Sequence, residues 1–180
     1  MNNTYGGLNA GKAWRVWVTK HPVGAAVWAG VIAGQFTTLW GIWFPGVGLP
    51  SLDWPQSTGA TIDAKGSFPV QFVMGEFFHG LDCIIFALLF ALFFFPILGK
   101  VVTPAMNMLK AIGFSTILLG TISAAFLVPY VYFKGYNVGF GGVHFGGWKL
   151  VFAVYVWHLL YGTVLGSLYN PLPLNDPALN

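Results

Sequence analysis

The sequence has few charged residues and a single cysteine. Only 7% of its 180 residues are Asp, Glu, Lys or Arg, whereas 56% are apolar. An ordinary soluble domain has about a quarter charged residues. A water-facing surface cannot be built from so few charges, so most of the surface must face lipid. The lone cysteine, Cys83, excludes an intramolecular disulfide and leaves the redox compartment undetermined.

The sequence also lacks the motifs of several soluble enzyme classes. It has no Ser-His-Asp set, no Walker loop and no CxxC pair, so hydrolytic, nucleotide-dependent and zinc chemistry have no support. The net charge is +3, and the basic residues lie mostly near the ends of apolar runs. Membrane orientation explains them better than nucleic-acid binding does.

Four long apolar runs are present instead. A bilayer core of about 30 Å requires about 20 residues of helix, whereas membrane β-strands are about 10 residues long and alternate in polarity. These runs are long and do not alternate. We therefore predict an all-α membrane protein, a four-helix bundle forming one domain over residues 1–180. Its spans are expected at about residues 23–44, 69–98, 108–133 and 148–168.

The first 22 residues contain bases and tryptophans rather than the apolar core of a signal peptide, so we expect the N-terminus to be retained. The mixture predicts a short helix over residues 8–21 that lies at the level of the lipid headgroups. Tryptophans close to span ends are interpreted as anchors in the membrane interface. They are Trp14, Trp17, Trp43, Trp54, Trp148 and Trp157.

Prolines and glycines mark the connections. The first loop contains Pro50, Pro55 and Gly59, which predicts a non-helical segment. Pro129 is expected to kink or end the third span. The third loop, residues 135–147, is rich in glycine and predicts a flexible or protein-covered connection. Two glycine pairs with four-residue spacing predict close helix contacts. They are Gly30 with Gly34 in span 1, and Gly162 with Gly166 in span 4.

The distribution of basic residues predicts the orientation. Five bases fall in the N-terminal segment and the second loop, and three fall in the first and third loops. The first group is Lys12, Arg15, Lys20, Lys100 and Lys110, and the second is Lys65, Lys134 and Lys149. The positive-inside rule then puts both termini in the cytoplasm. We expect a multi-pass protein of the plasma or inner membrane.

Ionisable residues inside the predicted spans are the most informative feature. Glu76, His79 and Asp82 lie in span 2, and His158 lies in span 4. Such groups are costly in lipid and mark functional sites. At about 100° per residue, the three residues of span 2 share one side of the helix with Cys83. Both histidines lie about ten residues into spans that run in the same direction, which predicts similar depths.

Several interpretations of these residues remain open. They can be structural, hydrogen-bonding between helices. Alternatively, His79 and His158 can be the axial ligands of a b-type haem, because two facing imidazoles suit a flat macrocycle. Lys149 and His144 would then be candidates to bind the propionates.

A third interpretation is a non-haem metal site. Glu76 and His79 have the spacing found in di-iron bundles, and Asp82 with His158 would complete a set of oxygen and nitrogen ligands. Span 4 has no second carboxylate near His158, so a mononuclear copper or iron suits this set better than a di-iron centre. A proton or quinone site that uses the same carboxylates is the fourth interpretation.

The chain resembles the DoxX/DoxD family of four-helix membrane proteins. The resemblance lies in the length with four spans, the long polar first loop, the Gly75-Glu76 and Gly80-Leu81 pairs of span 2, and His144 before span 4. DoxD-type subunits are associated with thiosulfate:quinone oxidoreductases and terminal quinol oxidases. The resemblance therefore implies a small membrane subunit that passes electrons to or from quinone.

Our leading hypothesis is a membrane subunit of a multi-subunit electron-transfer complex of the respiratory or oxidase type. Haem b, a metal or quinone would bind between spans 2 and 4. One alternative is a cofactor-free structural subunit of a membrane oxidase, monooxygenase or photosynthetic complex. Another is a small proton or solute transporter that uses Glu76 and Asp82. The expected partners are lipid and other membrane subunits. The sequence does not decide whether the chain is an enzyme, and catalysis would require its partners.

Overall fold

The computed structural model describes residues 9–99, 102–132 and 147–180, with only the backbone described at 129–132. This part of the chain is helical and contains no strand. It has four helices that are long and apolar enough to cross a membrane, and we call them spans 1 to 4. They are Pro22–Val47, Phe68–Ile97, Pro104–Val128 and Gly147–Leu168. The prediction of an all-α four-helix membrane bundle is confirmed.

Within the described ranges, six α-helices of nine or more residues provide the framework. They are α1 (Ala10–Lys20), α2 (Pro22–Trp43), α3 (Trp54–Ile62), α4 (Phe68–Leu89), α5 (Pro104–Ile112) and α6 (Gly147–Leu168). Span 2 continues from α4 through a π-helical turn, Phe90–Phe94, to Ile97. Span 3 continues from α5 through two π-helical segments, Gly113–Leu119 and Ser123–Tyr132. The helix therefore runs past Pro129, which does not end it.

Span 3 begins earlier than predicted, at Pro104. The Thr103 side chain caps it by accepting a 3.2 Å hydrogen bond from the Met106 amide, and proline is well suited to the first helical turn. Lys110, which was counted with the bases of the second loop, lies inside span 3 and is buried. Its ammonium donates a 2.6 Å hydrogen bond to the Gly99 carbonyl oxygen at the end of span 2.

Both predicted glycine pairs lie at close helix contacts. A β-carbon at Gly34 would come within 2.8 Å of the Cys83 sulfur, so span 1 rests directly on span 2. A β-carbon at Gly166 would come within 2.6 Å of the Met108 backbone. Gly30 and Gly162 make equivalent approaches. Because glycine has no side chain, the helix axes can come close at these positions, as expected for small residues in membrane bundles.

The first loop contains a helix, α3, which corrects the prediction of a non-helical segment. The Asp53 side chain caps it by accepting a 2.9 Å hydrogen bond from the Gln56 amide. Pro55 lies in the first turn, where its missing N–H is not needed by the helix. The residue types that were interpreted as helix breakers therefore lie at positions where a helix tolerates them.

Glycines then fix α3 against span 2. A β-carbon at Gly59 would collide with the backbone of Gln71, and one at Gly75 would collide with the carbonyl oxygen of Pro55. The two backbones are thus in direct contact. Gly59 was predicted to break the first loop, but together with Gly75 of span 2 it permits the crossing that holds α3 beside the first turns of span 2.

Helix α1 is attached to the segment that follows span 4. Trp14 donates from Nε1 to the Leu168 carbonyl oxygen at 2.8 Å. Arg15 donates to the carbonyl oxygens of Asn170 and Pro171 at 3.3 and 3.0 Å. The two ends of the bundle therefore lie on the same face of the protein, as an even number of spans requires. The assignment of that face to the cytoplasm stays a prediction.

Some predictions concern residues outside the described ranges. They are the glycine-rich third loop up to residue 146, His144, Lys100, Lys134, and residue 133 at the end of the predicted third span.

Candidate functional site

A cavity of about 190 Å³ lies between spans 2, 3 and 4 and is covered on one side by α3. On each element, most lining residues are three or four positions apart and the others are adjacent, so each helix contributes one face. Span 2 contributes His79, Asp82, Cys83 and Phe86, and span 3 contributes Leu119, Ser123 and Leu127. Span 4 contributes Trp157, His158 and Tyr161, and α3 contributes Trp54, Thr58, Thr61 and Ile62.

His79 is held at the boundary between span 2 and span 1. Its Nε2 atom lies 3.1 Å from the Thr38 hydroxyl of span 1, and 3.8 Å from the sulfur of Cys83, one turn further along span 2. Thr38 is buried. The imidazole therefore has partners on one side while it also lines the cavity.

His158 is fixed through both ring nitrogens. Nδ1 lies 2.8 Å from the Val154 carbonyl oxygen, which can only accept, so Nδ1 donates. With its proton on Nδ1, Nε2 accepts from the Ser123 hydroxyl at 3.0 Å. Ser115 donates a 2.7 Å bond to the backbone carbonyl oxygen of His158. Span 3 therefore orients the imidazole of span 4.

Aromatic rings form the inner wall. Trp157 packs against His79 and His158, with ring centroids 5.6 and 5.1 Å apart. It also stacks on Tyr161 at 5.7 Å with nearly parallel planes, and meets Trp54 edge-on at 6.2 Å. Trp157 is 4% exposed, so its interpretation as an interfacial anchor is wrong. Its Nε1 donor is buried and has no hydrogen-bond partner.

The cavity is open on the side between spans 2 and 3. Among its lining residues, those exposed are Asp82 of span 2, Leu127 of span 3, and Thr61 and Ile62 of α3, so they mark the mouth. Below the mouth, spans 2 and 3 are brought together by Phe94 and Phe114, whose ring centroids lie 4.7 Å apart. The opening therefore lies between two membrane spans. It is bordered by α3 at one end and by the Phe94 and Phe114 rings at the other.

Glu76 lies apart from the cavity. Its Oε1 atom accepts a hydrogen bond from the Gln35 side chain of span 1, and it is not among the cavity-lining residues. His79, Asp82 and His158 do line the cavity. The predicted cluster is thus divided between two surfaces of span 2.

The contacts of the two histidines can be compared with what haem b requires. Both Nε2 atoms would have to reach one iron, but that of His79 lies beside Thr38 and that of His158 beside Ser123. The Trp157 ring packs against both imidazoles. A cavity of about 150 Å³ holds one benzene ring, so 190 Å³ suits a single substituted ring better than a porphyrin. Haem b stays a prediction, and the described geometry favours a smaller ligand. Lys149, a predicted propionate partner, is exposed near the start of α6.

The metal hypothesis can be compared with the same geometry. In the described ranges, no three His, Cys, Asp or Glu side chains come together in a way that could hold a metal ion. Glu76 is directed to Gln35 and is separated from the other three predicted ligands. A mononuclear copper or iron site stays a prediction without support from the described side chains.

Several lining residues were not found from the sequence. Trp54, Thr58 and Thr61 belong to α3, which was predicted to be a loop. Ser123 is a small hydroxyl residue in an apolar run, and such residues are common in membrane helices. The signal that could have found α3 is the Asp53 cap followed by a proline in the first turn, which together mark a helix start.

In comparisons with known proteins, no family model matches the chain, and neither a curated protein nor a solved structure matches it. The resemblance to the DoxX/DoxD family therefore stays a prediction.

Proposed function

We propose that the chain is a membrane subunit of an electron-transfer complex and that its cavity binds the head group of a quinone. The observation that carries this proposal is a cavity of about 190 Å³, open between spans 2 and 3, where three membrane helices present polar groups. Pockets that are mainly apolar and contain a few convergent polar groups are the usual small-molecule sites.

The chemistry of the cavity suits a quinone. A quinone head is a single flat ring with two carbonyl oxygens that accept hydrogen bonds, and its isoprenoid tail is soluble in lipid. Trp54 and Trp157 offer ring faces, and the Thr58 hydroxyl and the unpartnered Nε1–H of Trp157 offer donors. The sideways mouth allows the tail to remain in the bilayer while the head is bound. Redox centres in partner subunits would exchange the electrons.

Haem b and a mononuclear copper or iron are the competing occupants in this proposal. They predict different spectra. Haem would produce a Soret band in the purified complex. If this band disappears in both His79→Ala and His158→Ala but persists in His21→Ala, the occupant is haem and not quinone. His21 is a suitable control because it is exposed and precedes span 1. Metal analysis of the same samples tests copper and iron.

The direct experiment is a titration of the purified chain in lipid nanodiscs with a short-chain ubiquinone or menaquinone analogue. Trp54 and Trp157 line the cavity, so binding should quench tryptophan fluorescence in a saturable manner. Ser123→Ala removes the hydroxyl that orients the His158 imidazole at the cavity and should weaken binding about tenfold, equivalent to ~1.4 kcal/mol. Ser167→Ala is the matched control, because Ser167 is exposed on span 4 and bonds to Thr163. Linear quenching that is identical in all three proteins would refute the proposal.

A further inference from the structure

A polar pair lies on the lipid-facing surface, away from the cavity. The side-chain amide of Gln35 donates to the Glu76 carboxyl group. Gln35 is exposed and Glu76 is half-buried. Gln35 lies close to the middle of span 1, Pro22–Val47, so Glu76, which is bonded to it, must lie at similar depth. Glu76 is therefore not at the outer edge of the membrane.

Among the residues that the structure describes, no cationic side chain forms an ion pair with this carboxyl group. Neither span 1 nor span 2 contains a Lys or Arg, and the hydrogen bond from Gln35 uses one of about four acceptor positions of a carboxylate. Ionisable groups within spans almost always pair with one another or face a protected interior. A bundle that exposed this pair to hydrocarbon would leave most of its hydrogen-bonding capacity unused.

The surroundings of the pair are apolar and uncovered. Phe36 is 42% exposed and Phe77 is 67% exposed, and Val73, one turn from Glu76, is 68% exposed. Span 2 is also the least covered of the four spans, with 28% of its apolar window buried, compared with 44–50% in the others. We call this surface, defined by Gln35, Phe36, Val73, Glu76 and Phe77, the Glu76 face.

We propose that the Glu76 face binds a membrane-spanning helix of a different subunit, and that this helix carries a Lys or Arg at the depth of Glu76. A second copy of the chain does not fit, because a two-fold contact through this face would place Glu76 against Glu76. The charge of the face therefore selects a different, basic partner. The proposal rests on the membrane placement of spans 1 and 2 and is independent of quinone binding.

Photo-crosslinking in membranes that contain the native complex tests the contact. Benzoyl-phenylalanine replaces Phe36 or Phe77 on the Glu76 face, and Phe126 or Phe152 on spans 3 and 4 as matched controls. Both control residues are exposed, at 54% and 59%. We expect Phe36 and Phe77 to yield adducts with the same membrane-spanning chain, mapped by mass spectrometry to a helix with a Lys or Arg. The control positions should give at most a fifth of that yield.

Charge variants test the chemistry of the contact. Glu76→Gln keeps the size of the side chain and should lower the adduct yield at least fivefold, and Glu76→Lys should abolish it. Exchange of the mapped Lys or Arg for Glu should restore the adduct with Glu76→Lys. Thermal unfolding of the isolated variants establishes that they fold. If Glu76→Lys does not fold, Glu76→Gln alone tests the proposal.

Equal adducts at all four positions, adducts of two copies of this chain, or yields unaffected by charge would overturn the proposal. Quinone titration of the isolated chain needs no partner, so its failure would leave this result untouched.

Discussion

The Tyr161 hydroxyl of span 4 donates a 2.6 Å hydrogen bond to the backbone carbonyl oxygen of Cys83 in span 2. Both residues are buried, and both line the cavity. The bond fixes the separation of the two helices that carry His158 and His79. It therefore connects the packing of the bundle to the dimensions of the site.

Tyr161→Phe should destabilise the bundle modestly. The variant removes one buried hydrogen bond, and the Cys83 carbonyl keeps its helical partner, so the expected loss is ~1 kcal/mol. Thermal unfolding in detergent measures it. Tyr155→Phe is the comparison, because its hydroxyl meets Thr121 in a half-buried position and should contribute less. A larger loss in Tyr155→Phe would contradict this view of the Tyr161 bond.

Gly75→Ala should separate α3 from span 2. The added methyl group would collide with backbone atoms of Pro55 and Gly59, which cannot move as a side chain can. Overpacking of this kind costs about 1–3 kcal/mol. Hydrogen exchange of residues 54–62 should rise. Gly80→Ala is the matched control in the same helix, since a β-carbon there meets nothing within 4 Å and alanine favours helix. Equal exchange in both variants would contradict the close crossing.

Lys110→Met should weaken the junction between spans 2 and 3. Lys110 bonds to the Gly99 carbonyl oxygen and lies 4.5 Å from the centre of the Phe95 ring. Hydrogen bonds from charged donors contribute about 1.5–3 kcal/mol, and methionine retains the apolar stem. Lys12→Met is the control, because the 3.6 Å ion pair of Lys12 with Asp176 is only half-buried and should contribute less than ~1 kcal/mol. Comparable unfolding midpoints for the two variants would show that the Lys110 contact is not stabilising.

Leu127→Trp should obstruct the mouth of the cavity. Leu127 lines the opening, so a larger ring there should lower quinone affinity at least tenfold, with little change in stability. Phe126→Trp alters the neighbouring side chain, which is exposed and does not line the cavity, and should bind normally. The fluorescence titration in nanodiscs measures both. Unchanged affinity in Leu127→Trp would show that the ligand does not enter between spans 2 and 3.

Hydrophobic length predicted the four spans because lipid imposes the same requirement on every crossing helix. The boundaries agree within a few residues, except that span 3 begins at Pro104. The sequence could not predict α3, because its prolines and glycines act through position. Pro55 is tolerated only in a first turn, and Gly59 matters only because Gln71 lies against it. Neither the position of Pro55 within a helix nor the contact of Gly59 with Gln71 can be read from local composition.

The candidate site was predictable in part for a similar reason. Ionisable residues in apolar runs are visible in the sequence, and His79, Asp82 and His158 do line one cavity. Helix periodicity could not predict that Glu76 lies apart from these three residues. Its placement depends on which helix packs against each side of span 2, and Glu76 contacts Gln35 of span 1. Trp157 was assigned to the membrane interface because of its residue type. Its burial among His79, His158 and Tyr161 instead makes it part of the cavity wall.

The attachment of α1 to the segment after span 4 has a consequence for biosynthesis. Arg15 and Trp14 find their acceptors at residues 168–171, which the ribosome makes more than 150 residues later. Until then these donors have only water or lipid headgroups as partners. Closure of the bundle at this face is therefore a late event that must follow the synthesis of span 4 and of residues 169–171.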